Sequence, residues 1–207
     1  MHGLFITFEG GEGAGKSTMI RRATDWFRKP GHEVVQTREP GGTALAEKIR
    51  AILLDQKNGS LCANAELLLL FAARAQHLEE LIRPALARGA TVLCDRFTDA
   101  TWAYQGAGRG MPGEVIATLQ QLVHGELQPN LTLLLDLPPE LGRERISGRG
   151  KADRIERESM QFFNRVRQNY LQRAAAEPLR FAVIDASQDE ESVWQQIERI
   201  LRQRFSP

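Results

Sequence analysis

The stretch Leu4-Phe5-Ile6-Thr7-Phe8-Glu9-Gly10-Gly11-Glu12-Gly13-Ala14-Gly15-Lys16-Ser17-Thr18 decides the fold. It begins as a short β-rich run, passes into a glycine-rich turn, and continues as a helical pattern to about Lys29, where Pro30-Gly31 stops it. Residues 10–17 fit G-x-x-x-x-G-K-[ST] at every fixed position. The glycines let successive backbone N–H groups turn toward an anion, and the positive end of the following helix adds to the attraction. Lys16 reaches the β- and γ-phosphates of a nucleoside triphosphate, and the Ser17 hydroxyl is a ligand for Mg²⁺. A dinucleotide loop, G-x-G-x-x-G, needs a glycine where Lys16 stands, so that alternative fails. The expected site is a P-loop for a nucleoside triphosphate built from Gly10, Gly11, Glu12, Gly13, Ala14, Gly15, Lys16, Ser17 and Thr18.

Working outward, apolar strand-like runs alternate with helical stretches. Residues 33–37, 91–94, 131–137 and 181–184 read as strands. Helices are expected over 43–54, 64–88 (with Asn64 as N-cap and a kink at Pro84), 112–124, 139–147, 155–176 and 189–204. Strands apolar on consecutive positions and separated by helices require a parallel sheet covered on both faces. The expectation is a single α/β domain over 1–207 with the P-loop NTPase fold and about five parallel strands.

Composition narrows the partners. Lys plus Arg number 27 against 26 Asp plus Glu, a net charge of +1 that argues against nucleic acid or anionic membrane held by bulk charge. Cys62 and Cys94 are too few for a disulfide scaffold or a zinc site. With no basic-then-apolar leader and no run approaching ~20 apolar residues, a cytoplasmic location is expected.

The remaining residues separate the P-loop classes. An Asn-Lys-x-Asp guanine-reading sequence is missing, which disfavours a switch GTPase. A kinase for a phosphorylated acceptor needs a second anion site facing the P-loop. Arg38 and Asp95-Arg96 close two strands at the carboxyl edge of the sheet, where ligands of open α/β sheets bind. Two arginines there can grip one phosphate, and Asp95 sits where a carboxylate orients Mg²⁺. Leu67, Phe71, Arg74 and Leu78 share one helix face, so Phe71 and Arg74 can stack on a base and bond its edge. The competing reading, toward which spacing alone leans, buries Phe71 in the core and extends Arg74 to solvent. Residues 143–157 carry Arg143, Arg145, Arg149, Lys151, Arg154 and Arg157 around Gly148 and Gly150, as in a lid closing over phosphates; a solvated helix-loop-helix surface is the alternative.

These blocks together resemble the bacterial thymidylate kinase family: FEGGEGAGKST (8–18), TREPGGT (37–43), LLLFAARAQH (68–77), DRFTDATWAYQG (95–106), GRG (108–110), PNLTLLLDL (129–137) and DRIE (153–156). The resemblance implies ATP-dependent, Mg²⁺-assisted phosphorylation of dTMP to dTDP in a homodimer. By position, it implies that Glu12 contacts the deoxyribose 3′-hydroxyl, and that Arg38 and Arg96 hold the acceptor phosphate. It places Phe71 on thymine and Arg74 at the thymine edge, Tyr104 near the sugar 2′ position, and Thr101 and Gln105 as further base or sugar contacts. Some members carry a catalytic P-loop arginine; Gly13 or Ala14 stands there here, so the lid must supply the cation, from Arg154 or Arg149 with Lys151 behind them. Residues 185–188 resemble an adenine-contacting loop, and Ala100 replaces a serine found near the base in some members. A kinase for another deoxynucleotide or nucleoside, and a regulatory P-loop ATPase without an acceptor, are the alternatives.

Overall fold

A computed structural model describes residues 3–58, 61–147 and 153–205. Its centre is a five-stranded parallel sheet in the order β2-β3-β1-β4-β5. The strands are β1 (Leu4–Glu9), β2 (Val34–Arg38), β3 (Thr91–Asp95), β4 (Leu131–Asp136) and β5 (Phe181–Asp185). β1, β3 and β4 are buried along nearly their whole length, as strands covered on both faces must be. Side chains alternate across β1: Ile6 and Phe8 pack with α1 (Lys16–Phe27) and α9 (Glu190–Phe205) on one face. Phe5 packs on the other face with Leu78, Ile82, Val92 and Phe97.

The intervening helices are α2 (Ala44–Leu54), α3 (Ala63–His77), α4 (Arg83–Ala87), α5 (Thr98–Thr101), α6 (Gly113–Val123), α7 (Pro139–Ile146) and α8 (Met160–Ala176). Thr43 caps α2 by accepting from the Ala46 N–H, and Ser159 caps α8 by accepting from the Phe162 N–H. The helix expected over 155–176 therefore starts five residues later, because Ser159 supplies the N-cap after a turn at 154–157. Asn64 is not an N-cap: Cys62 holds that position and Asn64 lies within the first turn. The expected helix over 64–88 is three segments, in which the widened turn Leu78–Ile82 separates α3 from α4. Pro84 lacks an N–H and sits in the first turn of α4, where none is needed. A second widened stretch, Trp102–Gly108, continues α5 and escaped the helical periodicity; such turns are frequent at functional sites.

His124 ties the end of α6 to the start of α5. Its Nδ1 lies 2.9 Å from the Leu127 carbonyl and its Nε2 2.8 Å from the Thr98 hydroxyl. A carbonyl only accepts, so Nδ1 carries the hydrogen and the neutral ring takes the Thr98 proton at Nε2. Burial, with Arg74 adding to it, pushes the imidazole down to about 4. Its folded pKa lies below the unfolded value of about 6.5, so the stability it contributes is present above that value and is lost as pH falls toward 4. Denaturant titrations between pH 7 and 4 are expected to show a loss on the order of 3 kcal/mol from this group, and a shallower pH slope in His124→Gln.

Candidate active site

Parallel pairing carries the ends of β1, β2 and β3 to one edge, with Phe8 opposite Asp95 and Asp95 opposite Arg38. There a cavity of about 330 Å³ is lined by Glu12–Thr18, by Arg38, Arg50, Asp95 and Arg96, and by Leu70, Arg74, Thr101, Tyr104 and Gln105. One enclosure thus brings together the phosphate loop, both predicted phosphate arginines and most of the predicted base contacts.

The P-loop has the expected shape. Gly15 precedes α1 with φ of 85°, a left-handed conformation that glycine adopts without penalty. Lys16 is folded onto the loop, donating to the carbonyls of Gly10 (3.2 Å) and Gly11 (2.9 Å). Burial, reinforced by Arg96, lowers the pKa of its ammonium. Gly10 and Gly11 serve through these carbonyls and do not line the cavity, unlike residues 12–18. A Cβ on Gly142 of α7 would collide with the Glu12 carbonyl oxygen, and one on Gly13 with the Gly142 carbonyl. The loop and α7 therefore meet backbone to backbone.

Arg96 is the described non-glycine residue with positive φ (69°). That geometry costs about 1–2 kcal/mol and is held by neighbouring bonds. The Arg96 N–H donates to the Phe8 carbonyl (3.0 Å), and the Phe97 N–H to the Glu9 carboxyl (2.7 Å). Burial and nearby Asp99 push the Glu9 carboxyl up to about 8, while its other oxygen accepts from the Tyr170 hydroxyl. The Arg96 side chain donates to Glu12 (2.6 Å) and to the Gly10 carbonyl (3.0 Å), and lies over the Tyr104 ring. Tyr104 also donates to Glu12 (3.2 Å). Burial pushes the Glu12 carboxyl up, but Arg96 and Lys16 outweigh it and hold the group below its usual range. Arg38 is half exposed and paired with Glu47 (2.9 Å).

Arg74 does not extend to solvent. Its guanidinium is 3% exposed, lies 4.8 Å from the Phe71 ring and 5.2 Å from the Phe97 ring, and donates to Glu39 (2.7 Å) and Thr101 (3.0 Å). Nη1 alone is buried without a protein partner. Phe71 itself is buried beneath that guanidinium with Leu67 and Ile116, and Leu70 is among the aliphatic side chains that line the cavity. The predicted base-stacking role of Phe71 is corrected accordingly: the side chain one position earlier faces the ligand space.

The lid assignments change as well. Arg154 forms an ion pair with buried Glu66 (2.6 Å), donates to the Leu53 carbonyl (3.0 Å), and does not line the cavity. It braces the segment before α8 against α2 and α3. Arg149 and Lys151 lie outside the described residues. In the 185–188 loop, Asp185 accepts from Ser187 and Gln188, while Arg145 holds the carbonyls of Ala186 and Ser187; the loop does not line the cavity. Arg50, Leu54, Asp153 and Ile155 line the cavity and were missed. Arg50 was legible in principle, since it falls one turn after Glu47, the partner of Arg38, on α2.

A P-loop facing a second cationic site and a buried, one-sided hydrogen-bond donor defines a nucleotide kinase, an enzyme that moves a phosphoryl group to a small acceptor. The chain belongs to the thymidylate kinase family, whose sequence pattern matches residues 8–197. It is 57% identical over 201 residues to a thymidylate kinase of Pseudomonas putida strain F1, covering 97% of this chain and 96% of the relative. A thymidylate kinase of Alcanivorax borkumensis is 57% identical over 203 residues, with 98% of each chain covered. The crystal structure of thymidylate kinase from Ehrlichia chaffeensis superposes with a TM-score of 0.79 at 32% identity, over 97% of this chain and 99% of that one.

The contact between the P-loop and α7 yields a direct test. Gly142→Ala is expected to cost about 1–3 kcal/mol by overpacking and to raise KM for the triphosphate, because the displaced atoms are loop backbone. Thermal unfolding together with ATP saturation curves measures both effects.

Proposed function

We propose that this chain transfers the γ-phosphoryl group of ATP to the 5′-phosphate of dTMP, giving dTDP and ADP. One observation carries the reading: a single cavity is lined by P-loop residues 12–18, by two arginines at strand ends, and by Arg74 with its unpaired Nη1. In this reading Glu12–Thr18 and Lys16 hold the triphosphate, with the carbonyls of Gly10 and Gly11 shaping the loop. Arg38 and Arg96 hold the acceptor phosphate. Arg74 donates to a carbonyl on the base, Thr101 and Gln105 flank it, and Leu70 packs on its face. Tyr104 crowds the sugar, and Glu12 lies within reach of its hydroxyl.

The acceptor is already an anion, so no strong general base is needed, and positioning with charge neutralisation carries the rate. Arg96 holds the acceptor oxygen in line while Lys16 meets charge growing on the transferred group. The Asp95 Oδ1 is buried without a partner, and Ser17 lines the same cavity; these fit a divalent cation. Bound Mg²⁺ would neutralise phosphate charge there. With Arg154 committed to Glu66, the reading assigns the lid cation to Arg149, with Lys151 second. The whole chain acts as one catalytic domain, in the cytoplasm. Exposed aliphatic residues on the packed helices α2, α3 and α6 (Leu45, Ile52, Leu68, Val115 and Leu122) support a homodimer.

A coupled ADP-release assay across dTMP, dUMP, dCMP, dGMP and thymidine is expected to favour dTMP; preference for unphosphorylated thymidine, or hydrolysis without an acceptor, overturns the reading. Arg149→Ala is expected to lower kcat by at least ~10²-fold with a smaller change in KM. Arg154→Ala is expected to cost about 2 kcal/mol in stability with a much smaller loss of kcat. Light scattering should give twice the chain mass of 23.2 kDa.

A further inference from the structure

The side chains around Arg74 form a sequence of contacts that no step of the phosphoryl transfer requires. Thr37 Oγ1 lies 2.7 Å from His77 Nε2, His77 Nδ1 lies 3.2 Å from Glu39 Oε1, and Glu39 Oε2 accepts from Arg74 Nε at 2.7 Å. All four residues are buried. Burial pushes the Glu39 carboxyl up, but Arg74 and His77 outweigh it and hold the group below its usual range. A carboxylate only accepts, so His77 Nδ1 carries a hydrogen, and in the neutral ring Nε2 accepts from the Thr37 hydroxyl. A Cβ on Gly42 would collide with the imidazole and lie 2.6 Å from Thr37 Oγ1, so the 40–42 turn closes directly over these contacts. Thr37 in turn is fixed by its pairing opposite Cys94 in the sheet.

This arrangement bears on selectivity. An arginine side chain on a flexible stem can move to relieve a poor contact, and a movable donor discriminates weakly. Here Nε is held by Glu39, Nη2 by Thr101 and the Phe97 carbonyl, and two aromatic rings cover the guanidinium. Only the Nη1 hydrogens remain for a ligand, and their direction is set from the sheet through Thr37, His77 and Glu39. Arginine donates and never accepts, so a ligand group facing Nη1 must accept. A carbonyl satisfies it; an amino group leaves donors facing donors in a buried site, the situation that gives large discrimination between substrates.

We propose that Glu39, oriented by His77 and Thr37, is a positioning residue that sets selectivity for a base with a carbonyl over one with an amino group at the edge read by Arg74. The inference rests on the acceptor reading given under Proposed function. Its test compares kcat/KM for dTMP and dCMP in the unaltered chain, in Glu39→Gln and in Thr37→Val, with thermal unfolding of each. Glu39→Gln is expected to shrink the dTMP-to-dCMP ratio by at least about 10-fold, and Thr37→Val by about 3-fold, mainly through KM for dTMP. Lower melting temperatures with an unchanged ratio in both variants overturn the proposal, as does an equal loss for both acceptors. If Glu39→Gln does not fold, the ratio in Thr37→Val decides alone. If the unaltered chain shows no preference for dTMP over dCMP, the assignment of Arg74 to the base falls, and the proposal falls with it.

Discussion

Buried charge must be paired, and at the carboxyl edge of this sheet that requirement organises almost everything around the cavity. Glu9, Lys16, Glu39, Glu66, Arg74 and Asp99 are all buried there. Lys16 is folded onto its own loop, and the others are tied to elements distant in sequence. Asp99 joins α5 to Arg173 on α8 and to Arg180 before β5; Glu66 joins α3 to Arg109, Arg154 and Gln105. Arg96 stands at the centre, with a backbone conformation that L-residues avoid. Phe8, Glu9 and Glu12 hold it there, so a strained residue becomes a fixed cation beside the P-loop. Rigidity of this kind suits chemistry that depends on alignment and electrostatics more than on proton transfer.

Much of this was legible in the sequence. The P-loop was readable because its chemistry sits in eight consecutive residues, and the parallel sheet because every strand is apolar on neighbouring positions. Arg38 and Asp95-Arg96 were found because strand ends mark one edge. What failed depended on distance or on fine angle. Phe71 and Leu70 are neighbours on one helix, and only the packed structure shows which faces the cavity and which lies beneath Arg74. The partners of Arg74 come 35 and 27 residues away, and no local pattern announces them. Arg154 looked like a lid cation because its neighbours are basic; its ion pair with Glu66 spans α3 and the approach to α8, beyond any periodicity. The widened turns at 78–82 and 102–108 break the 3.6-residue spacing by which helices are read, so the second was overlooked.

Leu70 gives the ligand wall a particular character. An aliphatic side chain offers dispersion and excludes water, but it lacks the quadrupole of an aromatic ring. In the proposed reading, orientation of a planar base rests more heavily on edge contacts, on Arg74, Thr101 and Gln105, than on the Leu70 face. Where one wall is featureless, the precision of the polar contacts matters more.

The alternation at the end of β2 carries a consequence for how the molecule tolerates change. Thr37 and Glu39 are buried and Arg38 between them is exposed to the cavity, so consecutive residues serve opposite faces of one strand. A slip of one residue between β2 and β3, or a single insertion between Val34 and Arg38, would turn the arginine into the core and the glutamate toward the anions. Parity along this strand is thus a hidden ruler: insertions and deletions there should be purged even where every individual residue type survives.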